Sequence, residues 1–245
     1  MKSVPLSEQI SAELRDEILR GRYRPGERLP SERDLAQRFE VHRGAVREAL
    51  KKLEQLGLAK IEAGGARVNP LEEASLDVVR HMLTLSDSPD PRVVYEVFEA
   101  TSGVMALGVR LCLERASAED HQQISNLLRE LCQNELSQAR EFELFVEFGE
   151  RVAQASGNTV IMLVHRGLRI GILEKIYEEL VLVDTDNREQ LERVKELALA
   201  FEAREGPAAS EAAYQLAVDM RNRMTKIFEA RLASSGAGTD RRNFS

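Results

Sequence analysis

Apolar residues recur every fourth position near the start of the chain. Leu6, Ile10, Leu14 and Ile18 form one stripe, which predicts a helix over 6–20. Gly21 ends it, and Pro25-Gly26 marks a turn. Pro30-Ser31 opens a second, short helix. Ser31 can cap it, with Asp34 three residues on in a capping-box-like position, and Leu35 and Phe39 point inward. A third helix is predicted over about 43–56, with Val46, Ala49, Leu50, Leu53 and Leu56 as its buried stripe and Gly57 suited to the position after it. Residues 58–61 then read as a short strand, 63–65 as a hairpin turn and 66–68 as the returning strand. Asn69-Pro70 closes this unit.

From there the period is helical throughout. Helices are predicted over 75–86, 91–114, 117–132, 136–155, 158–182, 187–204 and 208–232, separated by legible breakers such as Ser156-Gly157-Asn158 and Gly206-Pro207. No strand and no repeat is read in this part. The expected fold is mainly α: an N-terminal winged helix-turn-helix over 1–70, made of three helices and a β-hairpin, then a linker at 71–76, then an antiparallel helical bundle over 77–233. The segment 234–245, with Gly236, Gly238, Asp240 and Arg241, is expected to be disordered.

Charge changes the picture more than composition does. The 245 residues carry a net charge of −7, which taken alone argues against nucleic acid. Yet residues 1–70 hold 14 Lys/Arg against 11 Asp/Glu, leaving 20 against 30 for the remainder. A mildly basic head therefore sits on an acidic body, which suits a small DNA reader attached to a larger domain with another task. The 43% hydrophobic fraction has no tryptophan and few aromatics, so the cores must be aliphatic. No apolar run is long enough for a membrane span and no signal peptide is read; Cys112 and Cys132 fit no metal spacing. A reduced, cytoplasmic protein with no membrane partner is expected.

The candidate chemistry lies on the third helix. Arg43, Arg47 and Lys51 stand at four-residue spacing opposite the apolar stripe, with small residues Gly44 and Ala45 between the first two. A guanidinium can fork onto O6 and N7 of guanine, or onto phosphate. Arg33 can reach phosphate from the start of the second helix, and the Gly64-Gly65 turn lets a wing lie on the DNA backbone with Arg67 as its charge. Such a basic triplet is also common on a merely solvated helix face; the order of parts around it is what gives it weight.

That order, PGERLPSERDLAQRFEVHRGAVREALKKLEQLGL, strongly resembles the GntR family of bacterial regulators. The resemblance rests on Pro25-Gly26, Leu29-Pro30-Ser31-Glu32-Arg33, Leu35-Ala36, Val41, Arg43, Val46-Arg47, Ala49-Leu50, Leu53 and Gly57-Leu58, and spans residues 6–69. It implies that Arg33, Arg43, Arg47 and a wing glycine, Gly64 or Gly65, contact an operator. Two departures stand out. His42 occupies a place where Ser or Thr is usual, though it can still donate to a phosphate. The wing, Glu62 to Arg67, is less basic than usual, so weaker phosphate contacts would follow.

The body resembles the FadR branch of that family, chiefly through Phe148 and Ala155-Ser156-Gly157-Asn158. Many such domains hold a divalent metal through one Asp and three His. The resemblance puts those positions at Phe145, Gly149, near Val194 and near Arg223, none of them a ligand, and His42, His81, His121 and His165 do not reproduce the spacing. No metal and no cofactor is therefore expected. The Arg that often meets an effector carboxylate is replaced by Phe98. A pocket of Phe98, Phe145, Gly149 and Val194 would be apolar. It would take an apolar small-molecule effector such as a fatty acyl-CoA, or else be filled core in a domain that only dimerises. The chain shows no nucleophile elbow, phosphate-cradling loop or HExxH, so an enzyme is not expected. The expected partners are a palindromic double-stranded operator and a second copy of the chain; the rival is an interaction protein that binds DNA without sequence preference.

Overall fold

The computed structural model describes residues 4–86, 89–134, 136–168 and 188–239. The chain divides into two compact units, Met1–Leu85 and Ser86–Ser245.

In the first unit, α1 (Leu6–Leu19) buries Ile10, Leu14 and Ile18. Leu6, assigned to the same stripe from its spacing, is exposed, because the helix begins at it and the core starts one turn later. α2 (Glu32–Arg38) starts at Ser31, whose hydroxyl accepts the Asp34 N–H at 3.2 Å while donating to its carboxylate at 2.6 Å. The predicted hydroxyl cap is thus made, and the Asp34 carboxylate holds that hydroxyl in place. The chain leaves α2 through Glu40, a non-glycine residue at φ 54°, and enters α3 (Arg43–Gln55). Ala45, Val46, Ala49, Leu50 and Leu53 of α3 are buried against α1 and α2.

Gly57 follows α3 at φ +70°, and a Cβ there would stand 2.2 Å from the Glu73 carbonyl oxygen, so both backbone and space require glycine. β1 (Ala59–Glu62) and β2 (Gly65–Val68) pair antiparallel, Ala59 against Val68 and Glu62 against Gly65, which leaves a two-residue turn. The hairpin has a third layer of pairing behind it. Gly26 N–H donates to Val68 O, Leu29 N–H to Ala66 O, and Val68 N–H to Glu27 O.

A single 3₁₀ turn (Leu71–Glu73) leads to α4 (Asp77–Leu83). This differs from the sequence expectation, which closed the first unit at 70 and gave the helix at 75–86 to the body. Val78 is fully buried and Met82 packs in the same core as Leu14 and Leu53, so hydrophobic burial ties α4 to the first unit.

The second unit is built of helices among its described residues: α5 (Pro91–Arg115), α6 (Ala118–Leu131), α7 (Gln138–Ala155), α8 over 159–168, α9 (Arg188–Glu202) and α10 (Gly206–Thr239). Short connections make α6 and α7, and α9 and α10, antiparallel neighbours, and α5 packs along both α7 and α10. Val109, Ile124, Leu128, Leu144, Val152, Leu197 and Phe201 form the core. The rest of the expected helix 158–182 lies outside the described residues. The tail expected to be disordered from 234 is instead helical to Thr239. No proline interrupts it, and each glycine costs a helix only about 1 kcal/mol. Residues 240–245 lie outside the described residues.

The Ser156-Gly157-Asn158 motif explains how α8 is set. Gly157, at φ +62°, ends α7, and Asn158 Oδ1 accepts the N–H groups of Val160 at 3.0 Å and Ile161 at 3.2 Å. One motif therefore stops one helix and caps the next.

Candidate DNA interface and effector cavity

α3 presents two faces. Its apolar stripe is buried, and Arg43, Gly44, Arg47 and Lys51 are exposed on the other side. Arg43 makes no ion pair among the described residues. Arg47 Nε meets the Glu32 carboxylate at 2.8 and 3.0 Å, with the Arg47 side chain 64% exposed, and Lys51 meets Glu48 at 3.0 Å, also exposed. Exposed pairs of this kind are worth about 0.2–1 kcal/mol, less than the roughly 1–3 kcal/mol of a bidentate guanine contact, so neither pair locks its cation away from a groove. Arg33 is also exposed, with only a loose 3.6 Å approach to Asp34.

His42 is the N-cap of α3. Its Nδ1 accepts the Ala45 N–H at 3.0 Å, doing the work that Ser or Thr does elsewhere. That contact assigns the proton to Nε2, which makes the outer edge of the ring a donor. Gly44 has ordinary space around it, with the His42 ring 3.6 Å from where a Cβ would stand.

The wing turn holds Gly64 at φ +93° and Gly65 at φ +135°. Arg67 is committed more than the sequence suggested: its guanidinium donates to the Gly26 carbonyl and lies 3.7 Å from Glu62. A cation that sequence reasoning missed stands beside it. Arg28, bridged through its backbone to Arg67, is exposed and reaches within 3.5 Å of where a Gly64 Cβ would stand. The only signal in sequence was Leu29 beside it, a buried residue between Arg28 and Pro30.

Beside this surface an ionic cluster centred on one buried carboxylate ties α1 to α2. Glu17, 5% exposed, accepts from Arg38 at 2.8 and 3.0 Å and from Arg22 at 2.7 Å, and Arg38 also meets Glu13 at 2.6 Å. The Arg38 hydrogen bonds, reinforced by both positive charges, hold the Glu17 carboxyl below its ordinary value of 4.5 despite burial.

In the second unit a cavity of about 190 Å³ lies among α5, α7, α8, α9 and α10. Phe98, Phe145 and Gly149 line it, as the sequence suggested. Val194 does not: it is 2% exposed in the neighbouring core, and Leu197 of the same helix takes the lining position. The residue that sequence reasoning passed over is His165, read as a surface or helix-end histidine. It lines the cavity from α8, and its ring fills the place that a side chain at 149 would need: a Gly149 Cβ would stand 2.9 Å from His165 Cε1.

A four-ligand metal site does not fit here. The positions the family uses carry a phenyl ring, a bare Cα, a core valine and Arg223. Arg223 is half-buried and absent from the described lining, and the Cα of Gly149 faces the His165 ring and the Met105 methyl. Among the described residues no three His, Cys, Asp or Glu side chains gather at ligand spacing.

A winged helix-turn-helix joined to a helical domain with an internal cavity defines a class, that of regulators which bind DNA with one unit and an effector with the other. Sequence comparison agrees: residues 6–68 match the model for bacterial regulatory proteins of the gntR family, and residues 96–218 match the FCD domain. The chain belongs to the GntR family of transcription regulators and is not an enzyme. It is 28% identical to the galactonate operon transcriptional repressor of Escherichia coli K12 over 225 residues, 90% of this chain and 97% of that one. It is 31% identical to the transcriptional regulator Mce2R of Mycobacterium tuberculosis over 170 residues, 69% of this chain and 70% of that one. The solved structure of Streptococcus agalactiae GntR aligns with 89% of this chain and 99% of its own at 22% identity, with a TM-score of 0.47. Among the described residues no helix is long and apolar enough to cross a membrane.

Proposed function

We propose that this protein is a cytoplasmic repressor that binds a palindromic operator as a homodimer and is released by a small apolar effector. The observation that carries this is the exposed Arg43–Arg47–Lys51 face of α3, opposite the buried Val46, Ala49, Leu50 and Leu53. Arg43 and Arg47 read base edges in the major groove; Arg33, His42 and Lys51 hold phosphates; Gly44 permits close approach; Gly64, Gly65 and Arg67 place the wing on the backbone, joined by Arg28. Repression is the role in the printed name of the Escherichia coli relative.

The homodimer follows from reach. One winged unit reads a few base pairs, and two units related by a two-fold axis read enough for a specific site. Exposed Leu107, Val160 and Leu163 leave apolar surface on the helical unit for a second copy. The effector half rests on the cavity, whose described lining carries no Lys, Arg, Asp or Glu. A fatty acyl chain, the effector the sequence suggested, shares that polarity but is longer than a cavity of about 190 Å³ can hold, so a smaller apolar molecule fits better. An effector acts by binding more tightly to the conformation in which the paired reading units no longer match the half-site spacing.

Selection of bound fragments from genomic DNA, followed by titration of the winning fragment with random competitor, tests the reading. The expected result is a palindromic sequence bound about 10³-fold or more tighter than random DNA at the same salt. Binding that is strong, salt-dependent and indifferent to sequence would show a non-specific DNA-organising protein instead.

A further inference from the structure

The size and lining of the cavity narrow the effector beyond its being apolar. We infer that the cavity takes a compact, uncharged aromatic molecule, a single ring with at most one hydrogen-bonding substituent. This rests on the proposed regulator reading for its consequence, but not for the binding itself.

Volume is the first argument. A cavity of about 150 Å³ walled by aliphatic and phenyl groups holds benzene. The cavity here opens on one side and holds about 190 Å³, so the part of a guest that it encloses is a ring with little more than one substituent, well short of a long acyl chain. The second argument is the wall. Phe98, Phe142, Phe145 and Phe148 supply four ring faces and edges, and Met105 and Met220 supply thioethers. Rings favour edge-to-face and offset contacts with other rings, and sulfur favours ring edges, so an aromatic guest gains over an aliphatic one of equal size.

Polarity is the third argument. Thr101 and His165 are the polar side chains of the described lining. Thr101 donates its hydroxyl hydrogen to the Val97 carbonyl at 2.8 Å inside α5, which leaves its oxygen as an acceptor only. His165 sits across the cavity against Gly149. These groups suit one hydroxyl or none. A carboxylate would meet no Lys or Arg of the described lining and would lose its hydration, so charge rather than shape disfavours an acid of the same size.

Gly149 is the device that makes this arrangement. A side chain at 149 would displace the His165 ring and the Met105 methyl, which stand 2.9 and 3.2 Å from where its Cβ would be, and would take up guest space. Ala217 on α10, also in the lining, is a second place where a larger side chain would occupy the guest's volume.

The test uses the full-length protein, with calorimetry and thermal unfolding against five probes: toluene, p-cresol, benzoate, methylcyclohexane and palmitoyl-CoA. Toluene and p-cresol should bind and raise the unfolding temperature. Methylcyclohexane should bind several-fold more weakly, and benzoate and palmitoyl-CoA at least tenfold more weakly. Ala217→Leu and Gly149→Ala should each lose at least tenfold in toluene affinity; thermal unfolding of the ligand-free variants shows that they are folded, and either one alone decides the point. Benzoate binding as tightly as toluene, palmitoyl-CoA outcompeting both, or no binding by any ring would overturn the inference. Operator binding of the ligand-free protein, measured alongside, separates the two claims. DNA binding without ring binding sinks only the guest, and ring binding without DNA binding sinks only the regulator reading.

Discussion

Single residues in the reading unit divide into those that build it and those left over for DNA. Glu17 builds: a buried carboxylate gathering Arg38 and Arg22 fixes α2 against α1. Its folded pKa is depressed, so the stability it adds is present above 4.5 and is lost as pH falls through the lower, folded value. Glu17→Gln should cost about 1–3 kcal/mol of unfolding free energy near neutrality. The gap from wild type should close in acid, which denaturant titrations at neutral pH and well below 4.5 will show. Arg28 is left over. If it lies on a phosphate beside the wing, Arg28→Ala should weaken binding to all sequences alike and reduce the slope of log affinity against log salt by about 1. An unchanged slope would remove it from the interface.

At the scale of elements, α3 shows one residue serving both ends. His42 caps the helix through Nδ1 and offers Nε2–H outward. His42→Ser should keep the cap and lose the donor, whereas His42→Ala should lose both. The alanine variant should therefore be less stable by about 0.5–2 kcal/mol, and the serine variant near wild type in stability but weaker on DNA. Equal stability of the two would deny the cap.

What the sequence made legible follows the same division. The three helices, the Ser31 cap and the hairpin could be read because their causes are local: apolar spacing, a hydroxyl and two glycines. Arg28 could not, because pairing between residues 26–29 and β2, some forty positions away, sets its place. α4 was assigned to the wrong unit because amphipathic spacing says that a helix buries a face, not against what. Val194 was misplaced for a related reason: one step around α9 separates core from lining. His165 looked like a lone histidine because the residue that receives it, Gly149, lies on another helix.

Across the whole molecule, charge separates by task. The first unit, residues 1–85, carries 15 Lys/Arg against 14 Asp/Glu, while residues 86–245 carry 19 against 27, so the acidic surplus lies on the helical unit. A protein of net charge −7 can therefore still bind DNA, and its non-specific affinity should be low and its dependence on the recognition helix correspondingly high. Specific recognition then rests on a few guanidinium groups used twice, once per protomer of the proposed dimer. On the proposed reading, a phenyl ring and a glycine at positions that the family resemblance gives to metal ligands go with a change in what the helical unit detects, while the reading unit keeps the family pattern.

The most direct measurement is the affinity of Arg43→Ala and Arg47→Ala for the selected operator and for random DNA, at one fixed salt concentration. Each substitution should cost about 1–3 kcal/mol on the operator, and much less on random DNA, where only charge is lost. Wild-type operator affinity in both variants would contradict the assignment of α3 as the element that reads sequence.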